Sequence, residues 1–137
     1  FATLGVIDSP LLAALAAEAL HKLAELQAYN LAILAWALAK LGWQHRPLME
    51  AIAAQSIAQL SAYNSQELAN TVWAFATLGI ADEPLMDAIA GASIPKIGSF
   101  TPQHLTNTAW AFAELFLWHA PLMESIAAEA MPRIKDL

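Results

Sequence analysis

Apolar positions along this chain recur in helical steps, and the helices they predict recur in turn every 37 residues. The stretch 64–100 shows the pattern best. Leu68, Val72, Phe75 and Leu78 fall three and four apart, the stripe that an amphipathic helix turns toward a core. Asn64 stands before them as an N-cap with Glu67 three residues on, the spacing of a capping box. Gly79 follows as the left-handed residue that closes a helix. A first helix, A, is therefore predicted over 65–78. Pro84 suits the first turn of a second helix, B, in which Leu85, Ile89, Ile94 and Ile97 are apolar and Gly98 marks the end. The segment reads as a helical hairpin.

The other segments keep this register. Gly5, Gly42 and Gly79 are 37 residues apart, with Phe116 in the fourth place; Pro10, Pro47, Pro84 and Pro121 follow the same interval, as do Trp36, Trp73 and Trp110. Ala16, Ala53, Ala90 and Ala127 form a column of small residues where helices can approach closely. Self-similarity at such a period is the signature of a stacked array, whose units bury their apolar faces only against neighbours. The expected fold is all-α: an α-solenoid of stacked antiparallel helix pairs, divided as 1–26 (a truncated unit), 27–63, 64–100 and 101–137. The opening string Phe1-Ala2-Thr3-Leu4-Gly5 aligns with Phe75-Ala76-Thr77-Leu78-Gly79, so the chain is expected to be a piece of a longer one. Pro95 and Pro132 share a place near the end of helix B, where a bend or an early helix end is expected.

Composition sharpens this picture. The chain is 58% hydrophobic and 13% charged, against about 25% charged for an ordinary globular protein. Close helix packing and a surface covered by partners both fit. The uncharged stretch 68–81 is shorter than the ~20 residues a spanning helix needs, and no membrane span is expected. Cysteine is absent, which excludes disulfides and thiolate metal sites. The net charge of −6 argues against a strong nonspecific grip on phosphates.

The strings Ala69-Asn70-Thr71-Val72-Trp73-Ala74-Phe75-Ala76-Thr77-Leu78-Gly79 and Asn107-Thr108-Ala109-Trp110-Ala111-Phe112 resemble heptatricopeptide repeats, relatives of the octotricopeptide repeats of organellar proteins. The string Pro84-Leu85-Met86-Asp87-Ala88-Ile89-Ala90 is similar to their second helix. Ile33-Leu34 in place of the Asn-Thr pair, and Phe116 in place of glycine, depart from the pattern. The resemblance implies an α-solenoid in a chloroplast or mitochondrion and RNA binding in organellar gene expression, often with a C-terminal RAP domain that this sequence does not contain.

Four sets of residues can carry function. Lys22, Gln59, Lys96 and Arg133 share one place on helix B, basic in three of four units. A regular basic column can follow an RNA backbone; equally, cations at helix C-termini satisfy the macrodipole. Asn70 and Asn107, with Gln66 and Gln103 a turn earlier, can present amides to base edges, or can bond between units together with Thr71 and Thr108. Trp36, Trp73 and Trp110 read as core, with base stacking the alternative; Trp43 and Trp118, in or near turns, are the better partner contacts. His45 and His119 share a place with Asp8 and Asp82 at the start of helix B and read as caps. The histidines form no i, i+4 pair or HExxH motif, so no enzyme, metal or cofactor is expected.

Two functions follow: sequence-selective binding of single-stranded RNA, and a structural role in which the charge-poor surface docks on a large organellar assembly such as a ribosome or a photosystem.

Overall fold

The computed structural model describes residues 9–136, which are mostly helical with no strand among them. Gly5 and Asp8, one expected helix end and one expected cap, lie outside the described residues. Seven α-helices follow in order: α1 (Ser9–Lys22), α2 (Ala28–Leu41), α3 (Arg46–Gln59), α4 (Ser65–Thr77), α5 (Glu83–Ser93), α6 (Pro102–Glu114) and α7 (Ala120–Ala130). Helix α2 packs along α4 and α4 along α6, while α1, α3, α5 and α7 make a second row behind them. The pairs α2–α3, α4–α5 and α6–α7 pack against each other across short turns.

Local sequence explains the boundaries. Asn64 and Glu67 form the expected capping box, Glu67 N–H donating to Asn64 Oδ1 at 2.8 Å and Asn64 N–H to Glu67 Oε1 at 2.9 Å. Thr101 and His104 form a second one on α6. His45, Asp82 and His119 cap α3, α5 and α7 as expected, each accepting the N–H of the residue three along at 3.0 to 3.1 Å. Gly42 and Gly79 close α2 and α4 at φ +68° and +69°, with paired bonds such as Trp43 N–H to Leu38 O and Gly42 N–H to Ala39 O, the Schellman arrangement. Phe116 does the same for α6 at φ +58°, a conformation that costs a residue with a Cβ about 1–2 kcal/mol.

Proline decides how each B helix finishes. Helices α1 and α3, without an internal proline, run 14 residues and end in a three-residue 3₁₀ turn. With Pro95 and Pro132 in place, α5 and α7 stop after 11 residues and six residues of 3₁₀ helix complete the run. The expected choice between a bend and an early end resolves to the early end.

The core lies between the two rows. Leu31, Leu68 and Leu105 are buried in the first row and Leu48, Leu85 and Leu122 in the second. Buried alanines at Ala32, Ala35, Ala69 and Ala74 keep the side chains between neighbouring helices small.

Candidate nucleic-acid interface

Two of the three tryptophans in the repeating column depart from expectation. Trp36 and Trp110 are 41% and 43% exposed, whereas Trp73 is half-buried and packs against the core, as expected. At Trp36 and Trp110 burial goes instead to alanines and leucines of the same helices, among them Leu31, Ala35, Leu105 and Ala111. The three rings stand at equivalent places on α2, α4 and α6. Lys40 Nζ lies 5.4 Å from the centroid of one Trp36 ring and 5.9 Å from one of Trp73, a cation–π arrangement spanning two helices.

Between α2 and α4 runs a groove of about 330 Å³ beside this row. One wall is Tyr29, Ile33 and Trp36, placed on one face of α2 by i, i+4, i+7 spacing; the other is Gln66, Glu67 and Asn70 of α4, with its cap Asn64. Of the expected amide residues, Gln66 and Asn70 are thus brought together here. Gln103 is exposed and Asn107 half-buried one helix further on. Thr71 turns inward, its hydroxyl donating to Glu67 O at 2.7 Å. The Asn-Thr pair therefore divides into an asparagine at the groove and a threonine in the core. On α6, His104 stands at the register place of Glu67; burial lowers its pKa from the ordinary 6.5, and its Nδ1 accepts Thr101 N–H at 3.1 Å.

The expected basic column sits elsewhere and is engaged differently. Lys96 Nζ donates to Tyr63 O. Arg133 donates to Phe100 O and Gly98 O and pairs with Glu129. Gln59, in the same register, donates to Leu26 O at 2.8 Å. In each case a side chain near the end of one B helix grips the backbone 33 residues upstream. Lys22 is exposed and pairs with Glu18 at 3.1 Å. None of the four lines the groove.

Tyr29, Ile33, Trp36 and Glu67 carry much of the groove and were not singled out in the sequence as groove residues. The signal for three of them was present: Tyr29 and Ile33 stand in the places of Gln66 and Asn70, on the face that also carries Trp36. A second aromatic cluster lies at the turn after α6, where Phe116 is 95% and Trp118 79% exposed beside Phe112 and Leu117. Trp118 is thus open to a partner, as expected, whereas Trp43 packs on the core. Among the described residues, no helix is long and apolar enough to cross a membrane, and no group of three or more His, Cys, Asp or Glu can hold a metal.

Over residues 1–135 the chain matches the model of the family described as RNA-editing substrate-binding complex 6 protein, RESC6. It belongs to that family. A comparison with the curated proteins found no match. RESC6 membership overturns the resemblance to the heptatricopeptide and octotricopeptide repeats. The strings behind that resemblance encode requirements common to helical hairpins: glycine after a helix, proline at its first turn, alanine where helices touch. They describe packing and do not separate one helical family from another. With the resemblance go the plastid, the photosystem and the RAP domain; RESC6 belongs to mitochondrial RNA editing.

Proposed function

We propose that this chain is a section of an α-solenoid built on the 37-residue interval, and a non-catalytic, RNA-contacting subunit of a mitochondrial RNA-editing complex. The observation that carries the reading is the exposure of Trp36 on α2 and Trp110 on α6, with the carboxamides of Gln66 and Asn70 across the groove from Trp36 and those of Gln103 and Asn107 on the helix of Trp110. Flat aromatic faces next to amides are what single-stranded RNA readers offer to unstacked bases. The family's description as an RNA-editing substrate-binding complex protein supports the same reading. Contact by stacking also accommodates the net charge of −6, since it does not depend on neutralising phosphates.

The test is anisotropy of a labelled single-stranded RNA oligomer against the full chain. Trp36→Ala and Trp110→Ala are each expected to weaken binding at least about fivefold, the lower end of the ~1–3 kcal/mol per stacked base. The salt dependence is expected to be shallow, because each neutralised phosphate adds only about −0.7 to the slope. Binding that ignores the tryptophans and vanishes on charge reversal at Lys22 would overturn the reading.

Phe116 and Trp118 favour a second reading, a scaffold that docks on protein subunits. Absent RNA binding, together with subunit co-purification that depends on these two residues, would put it in the first one's place.

A further inference from the structure

The groove between α2 and α4 has two unlike walls. Tyr29, Ile33 and Trp36 are apolar or aromatic, while the side chains of Gln66, Glu67 and Asn70 carry hydrogen-bonding groups. No Lys, Arg or His lines it. At the N-terminus of α4, which opens beside it, the Asn64–Glu67 box engages two of the backbone donors, and the Glu67 carboxylate there opposes a phosphate. A volume of about 330 Å³ lies at the low end of small-ligand sites, ~300–1,000 Å³. A flat, uncharged ligand with an apolar face and a hydrogen-bonding edge fits these walls; a phosphate does not.

We propose that this groove takes one base of a single-stranded RNA and selects bases that carry an exocyclic amino group, with the Glu67 carboxylate as the acceptor. The proposal rests on the RNA reading above and adds a site and a preference to it. Stacking on the α2 wall tolerates any base, so discrimination falls to the α4 wall. An ionised carboxylate accepts and cannot donate. Guanine offers it two adjacent donors, N1–H and the 2-amino group. Adenine and cytosine offer an amino group beside a ring nitrogen that the Asn70 or Gln66 amide can donate to. Uracil presents a single N–H between two carbonyl oxygens, which a carboxylate repels. One Glu67 oxygen already accepts Asn64 N–H, an anchor that fixes where the carboxylate sits. The equivalent places on α4 and α6 differ: Gln66 and Asn70 stand at the Tyr29 and Ile33 places, and His104 at that of Glu67. The acidic selection therefore belongs to the first groove.

The four 5′-mononucleotides, titrated separately into the full chain and followed by the NMR shift of the Trp36 indole N–H, test this directly. GMP, AMP and CMP are expected to bind about tenfold more tightly than UMP, the scale of one charge-assisted hydrogen bond. Glu67→Gln, which keeps a capping-box residue at this position, is expected to abolish the preference while leaving the fold intact by circular dichroism. Equal binding of all four nucleotides, or an unchanged preference in Glu67→Gln, would overturn the amino-edge selection and leave the RNA reading standing. If neither nucleotides nor the RNA oligomer bind, both fall.

Discussion

Ser56 and Ser93 occupy the same place 37 residues apart, yet only one hydroxyl has a partner. Tyr63 donates its hydroxyl to Ser56 Oγ at 2.8 Å. The counterpart of Tyr63 is Phe100, which lacks the oxygen, and Ser93 Oγ is buried without a hydrogen bond. Phe100→Tyr is therefore expected to stabilise the chain by about 1 kcal/mol, the net worth of a typical buried hydrogen bond. In a Ser93→Ala background the gain should disappear; urea unfolding of the four-member cycle measures the coupling. The sequence does not show this pairing, because a hydroxyl lost at one place leaves its deficit at another, one element away. Trp36 and Trp110 are exposed where a core place was expected, for a related reason. Their spacing fixes the helix face they share, while the packing of the next helix decides whether that face is covered.

At the scale of the element, the sequence was at its most legible. The capping box of Asn64 and Glu67, the caps at His45, Asp82 and His119 and the closing glycines depend on residues a few places apart. Covalent proximity does most of the ordering there. Phe116 shows that position can outweigh residue type, because it takes the left-handed conformation without being glycine. The His104 cap carries a pH dependence. Burial lowers the folded-state pKa below the ordinary 6.5, so in that range the unfolded chain binds the proton more readily. Its contribution to stability is fully present above pH 6.5 and is lost as pH falls through the lowered folded value. Thermal unfolding followed from pH 7.5 to about 4.5 should show this loss. His104→Gln, a capping residue that does not titrate, should remove that part of it.

The basic column becomes intelligible only at the scale of the whole molecule. Read along the sequence, Lys96 and Arg133 are cations suited to an RNA backbone or to the macrodipole of their helices; in the structure they hold Tyr63 O and Phe100 O, as Gln59 holds Leu26 O. A donor and an acceptor 33 residues apart cannot be paired without knowing how one hairpin lies on the next. Lys96→Leu is expected to lower stability by about 1 kcal/mol, seen as a lower urea midpoint at unchanged slope. Lys96→Gln should recover most of the loss, since Gln59 already does the same work. What these three side chains grasp is a peptide carbonyl, a group every residue supplies. Leucine, tyrosine and phenylalanine serve equally as the held residue, and glutamine, lysine and arginine as the holder. Successive hairpins can thus diverge in their outward chemistry without losing hold of one another, and a duplicated hairpin would arrive already fitted to its neighbour.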